Sequence, residues 1–180
     1  NSQYLKTADG MSKLRVGPGL EEGVDVGPLV NAATRNKVEQ LVNDAVELGA
    51  KVLTGGNRTG HIGFYYEPTV LIDIPDSAEI VNTEIFGPVA TIMAFDSVDE
   101  VIKRANDTIF GLAAYVIGAN VSRAISVAER IDAGVMGINR GFISDPAAPF
   151  GGVKQSGIGR EGSQEGLHEF LETKYIAVDL

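Results

Sequence analysis

Three short apolar runs alternate with two amphipathic segments in the second half of the chain. The apolar runs lie at 89–95, 112–117 and 135–139, and Ser97 and Asn120 stand as helix N-caps before the amphipathic segments. Parallel strands require long crossover connections, which helices usually supply. The alternation therefore predicts an α/β fold with an open, largely parallel sheet flanked by helices.

Each of these two helices is expected to bury one apolar face. In the first helix, Glu100 lies three residues after Ser97 and completes a capping box. The apolar positions follow the helical period of 3.6 residues. They are Val98, Val101, Ile102 and Ala105 in the first helix, and Val121, Ile125, Ala128 and Ile131 in the second.

The first half of the chain carries a longer helix and two strands. The helix is predicted from Asn31 to Gly49, and strands are predicted at 51–53 and 65–74 with a glycine-rich loop between them. Pro68 within the second strand indicates a position near a sheet edge or a bulge. The apolar stripe of the helix consists of Val38, Leu41, Val42, Ala45 and Val46.

Both ends of the chain and one internal stretch are less regular. Residues 1–16 are weakly patterned, and Gly10 is expected to interrupt any helix there. Residues 141–166 are rich in glycine and irregular, which is typical of a functional loop. A short helix at 163–170 and an alternating strand at 173–180 are predicted to follow.

Composition excludes several classes of function. The net charge is -9 and no Lys/Arg-rich stretch occurs, so nucleic acid and anionic membrane surfaces are not expected partners. The chain has no cysteine, and its histidines, His61 and His168, have no ligand-like neighbours, so no metal site is expected. No apolar run has the length of a membrane span, and no signal-peptide core is present, so the expected location is cytoplasmic.

Residues 157–162 match the G-x-G-x-x-G pattern of dinucleotide-binding loops, and Asp179 follows at the distance of a ribose-binding acid. The pattern signifies cofactor binding only when it follows a strand and opens a crossover helix that returns to a parallel strand. Too few residues follow Gly162 for that unit. The match is therefore interpreted as coincidental.

Four other segments resemble the aldehyde dehydrogenase superfamily in order and spacing. They are Glu84 to Val89 (EIFGPV), Asn139 to Gly141 (NRG), Pro149 to Gly157 (PFGGVKQSG) and Glu172 to Tyr175 (ETKY). By composition alone, EIFGPV is an ordinary loop before a strand. Within the superfamily, residues 24–28, 141–144 and 174–180 are most similar to the succinate-semialdehyde dehydrogenase branch.

This resemblance implies roles for individual residues. Glu84 would hold the nicotinamide ribose of NAD or NADP, Phe86 would pack near the nicotinamide, and Lys37 would lie near the adenosine ribose. A carboxylate suits the first role because it accepts two hydrogen bonds from a diol, and an aromatic ring can flank a planar heterocycle.

The resemblance also implies a substrate site. Ser144 would line the substrate tunnel and bind a remote carboxylate of the substrate, and Phe150 would line the cavity where aldehyde and cofactor meet. Glu161 resembles the glutamate of a proton-relay path. Arg140, as an interpretation of the charge alone, would attract a dicarboxylate-like substrate; a solvated loop arginine is the alternative.

One departure from the family limits what this chain can do. The family's nucleophile is a cysteine, and in the family that residue, the general base and the Rossmann cofactor domain precede the region that matches. The first residue is not methionine, so we expect a C-terminal part of a longer enzyme that, alone, is inactive. Alternatives are a family member for glutarate semialdehyde or an aromatic aldehyde, and a stand-alone module that only oligomerises.

Three regions are predicted on this basis. Residues 1–16 would be a remnant or helix end, residues 17–166 a partial catalytic domain with active-site loops at 141–166, and residues 167–180 a helix end and an oligomerisation strand. The expected partners are an aldehyde, the N-terminal cofactor domain of the same protein, and other subunits bound through residues 172–180. Subunit binding through residues 172–180 is expected because a terminal strand can pair with an exposed strand edge of a neighbouring subunit.

Overall fold

The structure of the chain, a computed structural model, describes residues 2–60 and 62–179. His61 and Leu180, which entered the sequence-based predictions, lie outside the described residues. The chain divides into two units, with the boundary between Ala94 and Phe95. The three regions predicted from the sequence remain a prediction.

The first unit contains two helices, five strands and a short 3-10 helix in its described part. The helices are α1 (Ser2–Ser12) and α2 (Ala32–Glu47); the strands are β1 (Lys51–Thr54), β2 (Arg58–Thr59), β3 (Tyr65–Tyr66), β4 (Thr69–Ile72) and β5 (Val89–Ile92); and the 3-10 helix is Glu79–Val81. As predicted, α2 begins after Asn31, whose side-chain oxygen accepts a hydrogen bond from the Thr34 amide at 2.8 Å.

Strands β1, β4 and β5 form one sheet in that order. β4 pairs with β1 in antiparallel and with β5 in parallel orientation, while β2 and β3 form a separate antiparallel hairpin. The single strand predicted at 65–74 is therefore two strands in two sheets. Pro68 was expected near a sheet edge or a bulge. The edge position was wrong, because Pro68 lies just before β4, the central strand, where its missing N–H does not interrupt the pairing. A register shift does occur in the pairing of β4 with β1, between Val52 and Thr54 of β1.

The core of the first unit forms between α2 and the sheet. Val38, Leu41, Val42 and Ala45 are buried as predicted, whereas Val46 is 41% exposed at the margin of the stripe. They pack with buried residues of the sheet region that include Tyr66 and Leu71. Complete burial of one such aliphatic side chain contributes about 1.5–3 kcal/mol, so this stripe fixes α2 on the sheet.

Helix α1 contradicts the expectation that Gly10 ends the helix, since it continues to Ser12. A glycine inside a helix costs only about 1 kcal/mol relative to alanine. Ala8, two residues before Gly10, is buried at 7% exposure, and α1 packs against β1 and β4. Tertiary packing therefore offsets the low helix propensity of Gly10.

The second unit is built around one βαβ arrangement. Its elements are α3 (Val98–Asn106), β6 (Ala113–Val116), α4 (Val121–Ala128), β7 (Val135–Ile138), a 3-10 helix (Lys154–Ser156) and α5 (Ser163–His168). β6 and β7 pair in parallel, with α4 as the crossover. Ser97 and Asn120 cap α3 and α4 as predicted. The α/β fold class with parallel strand pairs is confirmed, although β5 and β6 belong to different sheets.

The inward faces of α3 and α4 were only partly predicted. Ile102 and Ala128 are buried, but Ala105 is exposed, Val121 is 54% exposed and Ile125 is 44% exposed. Ala124 takes the central buried position of α4 instead. A helix of two turns covers only a narrow strip of a two-stranded sheet. The apolar residues that lie outside that strip therefore remain exposed. In the run at 112–117, which was predicted to be buried, β6 is likewise exposed at alternate positions, and the flanking Leu112 and Ile117 are exposed as well.

The G-x-G-x-x-G segment is confirmed as unrelated to a Rossmann unit. It follows the 3-10 helix rather than a strand, and it precedes α5, which has only six residues. After α5, residues 173–179 form neither helix nor strand, and Tyr175, Ile176 and Val178 are largely exposed. The strand predicted at 173–180 is therefore not formed by residues 173–179 of this isolated chain. No described strand pairs with these residues.

Two absences concern the described residues only. None of their helices combines the length and apolarity needed to cross a membrane. Within the same residues, no group of three or more His, Asp or Glu side chains is placed to hold a metal ion.

Tyr66 provides a pH-dependent test of the first core. Its ring is buried, its hydroxyl donates to the Gly56 carbonyl at 3.0 Å, and burial, with the nearby charge of Glu39, raises the pKa of Tyr66 to about 12. The unfolded chain loses this proton near pH 10, so the contribution of Tyr66 is complete below that pH and declines as pH rises towards 12.

We predict that the free energy of unfolding, measured with urea, falls between about pH 10 and pH 12 more steeply for the wild type than for Tyr66→Phe. Tyr115→Phe, which changes a half-exposed tyrosine, is the matched control. Equal slopes for the wild type and Tyr66→Phe would contradict the prediction.

Candidate functional site

Three residues expected at the cofactor come together in the first unit. The Lys37 ammonium donates a hydrogen bond to the Glu84 carbonyl oxygen at 2.9 Å, and its nitrogen lies 5.7 Å from the centre of the Phe86 ring. The latter distance is typical of a cation–π contact. The Glu84 side chain is exposed and the Phe86 ring is 68% exposed. The carboxylate and one ring face are thus available to a ligand.

Close packing of the backbone presents this loop. A Cβ atom on Gly87 would lie 2.6 Å from a methyl carbon of Val38, so only glycine lets the loop approach α2 at this point. Phe86 itself has φ of 49°, in the left-handed region that non-glycine residues rarely adopt. The hydrogen bonds from the Thr69 amide to Pro88 and from the Val89 amide to Gly87 then lead the chain into β5.

Two residues expected at the substrate and one expected in a proton-relay path line one cleft in the second unit. Ser144, Phe150 and Glu161 border an open cleft of about 500 Å³. Its other lining residues are Phe142, Asp145, Pro146, Ala148 and Gly162. The residues around the cleft therefore include two phenylalanines, a serine and two acidic residues. Such a surface can pack against the body of a small molecule and hydrogen-bond to its polar end.

A pair of backbone hydrogen bonds joins Phe150 to Glu161 across this cleft. Each residue donates its amide to the carbonyl of the other, at 2.8 and 2.7 Å. The Ser163 amide donates to the Pro146 carbonyl at 3.0 Å and connects the two sides again. Both walls are thus held through the main chain, and the side chains of Phe150 and Glu161 remain free of that task.

The PFGGVKQSG segment is fixed on Gly111. The Gly111 amide donates to the Ser156 hydroxyl at 2.9 Å, and the Gly111 carbonyl accepts from the Val153 and Gly134 amides at 3.0 and 2.9 Å. This last bond ties the start of β7 to the same point. The segment that carries Phe150 is therefore attached to the chain between α3 and β6.

The segment of Ser144 is packed onto β7. A Cβ atom on Gly137 would lie 2.6 Å from the Tyr115 ring and 2.8 Å from a methyl group of Ile143. Both side chains therefore cover Gly137, and Ile143 places its neighbour Ser144. Asn139, which has φ of 53°, connects the ends of β6 and β7. Its side chain makes two hydrogen bonds, of 2.8 and 2.9 Å, with the Gly118 backbone.

Arg140 is not among the residues that line the cleft. Its Nε donates to the Phe142 carbonyl at 2.6 Å, and the side chain is exposed. Because Phe142 does line the cleft, Arg140 restrains one wall from outside. The structure thus brings together Lys37, Glu84 and Phe86 in one unit and Ser144, Phe150 and Glu161 in the other, with Arg140 beside the second group.

Sequence reasoning missed Phe142 and Asp145 as cleft residues. Asp145 precedes Pro146, a pair that often begins a turn, and its Oδ1 accepts from the Ala147 amide at 2.9 Å in an Asx-turn. That signal was present in the sequence. No comparable signal marks Phe142, whose position depends on the packing of Ile143 onto Gly137.

Comparison with known proteins relates this arrangement to one family. The sequence profile of the aldehyde dehydrogenase family matches residues 4–176. Relatives include the succinate-semialdehyde dehydrogenase (NADP(+)) GabD of Escherichia coli, 45% identical, and the glutarate-semialdehyde dehydrogenase of Pseudomonas putida, 46% identical, each over 175 residues. Each match covers 97% of this chain and 36% of the relative.

A solved structure gives the same result. The NAD+ complex of the aldehyde dehydrogenase from Bacillus cereus is 38% identical and superposes with a TM-score of 0.89, covering 96% of this chain and 36% of that one. This chain therefore spans about a third of the length of the proteins that it matches.

The contact between Ile143 and Gly137 generates a stability prediction. We expect Gly137→Ala to lower the free energy of unfolding by about 1–3 kcal/mol, since the added methyl group overpacks the contact with Tyr115 and Ile143. Urea denaturation of the chain measures this. Limited proteolysis should also show faster cleavage at 142–148.

Gly141→Ala is the matched control, because a Cβ atom there meets nothing within 4 Å. If both variants unfold at the same urea concentration, Ile143 does not depend on Gly137.

Proposed function

This chain belongs to the aldehyde dehydrogenase family, and we propose that the protein carrying it oxidises succinate semialdehyde to succinate with NAD or NADP. The observation that carries the proposal is the cleft in which Ser144, Phe150 and Glu161 meet. GabD, at 45% identity, bears that activity in its name. Glutarate semialdehyde is the second candidate substrate, because a relative at 46% identity is named for it.

The nucleophile of the reaction would come from outside these residues. Attack on the aldehyde by a thiolate needs a cysteine, and this chain has none. We therefore propose that the cysteine and a cofactor domain belong to other parts of the same polypeptide, and that the purified 180-residue chain is inactive. Cofactor-dependent aldehyde oxidation by that chain would contradict this, and would instead favour a complete site within it.

The function is tested on the polypeptide as it is encoded around this sequence. Its intact mass and its rate of NADH or NADPH formation are measured with succinate semialdehyde, glutarate semialdehyde and benzaldehyde. A preference for succinate semialdehyde supports the proposal. A preference for one of the other two aldehydes would identify that aldehyde as the substrate instead. A polypeptide of this length that self-associates and oxidises none of them would favour the stand-alone module. Cell fractionation would test the proposed cytoplasmic location.

The cofactor residues fit the proposed role. NAD or NADP would supply the hydride acceptor of the reaction. In this chain, the exposed Glu84 carboxylate would accept hydrogen bonds from ribose hydroxyls, the exposed Phe86 ring would pack on the nicotinamide side, and Lys37 would keep both in place. Lys37 is also proposed to lie near the adenosine ribose.

We predict that Glu84→Gln slows hydride transfer about tenfold to a hundredfold in the full enzyme, because hydrogen bonds to a charged acceptor contribute about 1.5–3 kcal/mol. Rapid-mixing measurement of the first turnover tests this. Glu79→Gln, an exposed glutamate of the 3-10 helix, is the control. A single-turnover rate equal to that of the control would remove Glu84 from the site.

The substrate residues are proposed to act at opposite ends of the aldehyde. Ser144 would donate a hydrogen bond to the remote carboxylate, and Phe150 would pack against the reacting end.

Glu161 would relay a proton, and unchanged turnover of Glu161→Gln between about pH 6 and pH 9 would exclude that role. Arg140 would attract anionic substrates by long-range electrostatic interaction. If Arg140→Gln keeps the wild-type KM for an anionic aldehyde at low salt, Arg140 only restrains the loop.

We predict that Ser144→Ala raises KM for succinate semialdehyde about tenfold more than KM for butanal, a neutral aldehyde with the same number of carbons. The loss of one hydroxyl donor to a carboxylate is the reason. Steady-state kinetics with both aldehydes provide the ratio, and Ser126→Ala on the exposed side of α4 is the control. Equal losses on both aldehydes would show that Ser144 only packs in the cleft.

Residues 172–180 are proposed to bind a neighbouring subunit as a strand. Tyr175, Ile176 and Val178 are exposed in the isolated chain, at 87%, 69% and 72%. A segment of this kind can cover its apolar side chains by pairing with an exposed strand edge.

We predict that truncation after Thr173 lowers the oligomeric mass of the full protein, measured by sedimentation equilibrium. Removal of only the last two residues, Asp179 and Leu180, is the control and should have the smaller effect. An unchanged mass after the longer truncation would contradict subunit pairing through this segment.

A further inference from the structure

Arg160, the residue before Glu161, reaches with its side chain across to the segment of Phe150. Its Nη1 donates hydrogen bonds to the Gly152 carbonyl at 2.8 Å and to the Gly159 carbonyl at 2.9 Å. Gly152 lies two residues after Phe150, and Gly159 lies two residues before Glu161. One side-chain nitrogen therefore connects the same two segments that the mutual backbone bonds of Phe150 and Glu161 connect.

The place of these two bonds follows from the geometry of antiparallel pairing. Hydrogen-bonded pairs alternate with non-hydrogen-bonded pairs along two antiparallel segments. Phe150 and Glu161 form a hydrogen-bonded pair, so Gly152 and Gly159 stand where the next such pair would form. No backbone hydrogen bond joins those two glycines among the described residues, and both of their carbonyls accept from Arg160 instead. The guanidinium group thus takes the place of the second hydrogen-bonded pair.

Arg160 is held in this position through its stem, its guanidinium group and its backbone. A Cβ atom on Gly151 would lie 2.8 Å from the Arg160 Cδ and 3.0 Å from its Nη1, so the side chain packs directly on this glycine. The Arg160 amide donates to Oε1 of Glu169 at 3.2 Å. Arg160 is half-buried, and hydrogen bonds from a charged donor are stronger than those between neutral groups. The side chain is therefore a firm attachment between the two segments.

This attachment bears on the direction of the Glu161 side chain. That side chain is exposed, so its direction is set through its main chain, which bonds Phe150 at 2.8 and 2.7 Å. The pair of Phe150 and Glu161 is isolated, without further strand pairing next to it. The two bonds of Arg160 support it on one side.

We propose that Arg160 is a positioning residue that fixes Glu161 for proton transfer by bonding carbonyls of both segments. The inference rests on the proposed function, in which Glu161 relays a proton. Loss of the guanidinium group leaves the two carbonyls without their donor, so the pair of Phe150 and Glu161 opens more often. The Glu161 carboxylate then spends less time in its productive position, which lowers kcat.

Hydrogen exchange of the Phe150 and Glu161 amides tests the attachment without any assay of activity. Arg160→Met keeps an unbranched side chain and removes every donor. In the full protein, both amides should exchange about threefold to tenfold faster in Arg160→Met than in the wild type, because local opening becomes more frequent. Arg123→Met makes the same change at an exposed arginine of α4 and should leave both rates unchanged.

Exchange of the β6 amides in the same samples shows whether a variant is folded. If Arg160→Met loses protection there, Arg160→Lys replaces it in every measurement. Lysine keeps the positive charge but not the planar guanidinium group, so the two exchange rates should rise about twofold to fivefold.

A double-mutant cycle separates positioning from a merely structural role. In the full enzyme, Arg160→Met should lower kcat for the preferred aldehyde about threefold to tenfold. In the Glu161→Gln background, the same substitution should change kcat less than about twofold, because the carboxylate that it positions is gone. Arg123→Met should change kcat in neither background.

Each result decides the inference. Wild-type exchange at Phe150 and Glu161 in Arg160→Met overturns it, and so does an equal loss of kcat in both backgrounds. A Glu161→Gln enzyme with wild-type kcat also overturns it, although the proposed oxidation then stands. An enzyme that oxidises no aldehyde overturns the proposed function, and the positioning role fails with it. Faster exchange in Arg160→Met would in that case show an attachment that serves the fold alone.

Discussion

The mutual backbone hydrogen bonds between Phe150 and Glu161 are the constraint on which the candidate substrate cleft depends. These two bonds, at 2.8 and 2.7 Å, join segments that are otherwise irregular. Together with the hydrogen bond from the Ser163 amide to the Pro146 carbonyl, they connect the loop after β7 to the turn before α5. Because the bonds use only main-chain atoms, they position the side chains of two candidate site residues without occupying either side chain. The hydrogen bonds at Gly111 then attach this pair to the start of the βαβ arrangement.

The first unit uses the same principle with a different contact. Val38 packs where Gly87 has no side chain, and Lys37, its neighbour on α2, donates to the Glu84 carbonyl. The lysine thus binds the backbone of Glu84 and leaves the carboxylate free. In both units the fold holds main-chain atoms, and most side chains with proposed roles, such as Glu84, Ser144 and Glu161, stay exposed. Substitutions that change only those side chains can therefore separate function from folding.

The sequence was sufficient for features that depend on local chemistry. The caps at Ser97 and Asn120, the start of α2 at Asn31 and most of the buried stripe of α2 were predicted, because each depends on neighbours within a few residues. Predictions that needed long-range packing were wrong. Gly10 did not end α1, and Ala124 was buried in place of Ile125, because tertiary contacts decided both. The candidate site residues other than Arg140 came from family resemblance, and spacing alone would not have joined Ser144 to Glu161.

Asp145 shows that a residue at the candidate cleft can have a structural reason for its type. Its Oδ1 accepts a hydrogen bond from the Ala147 amide, which closes the Asx-turn. The carbonyl of Pro146, the next residue, accepts from the Ser163 amide and joins this turn to the start of α5. The turn that follows Ser144 is therefore held by short-range hydrogen bonds of its own and by one main-chain bond to a distant segment. The side chain of Ser144 makes none of these bonds, so a substitution of Ser144 can change the cleft without removing the turn.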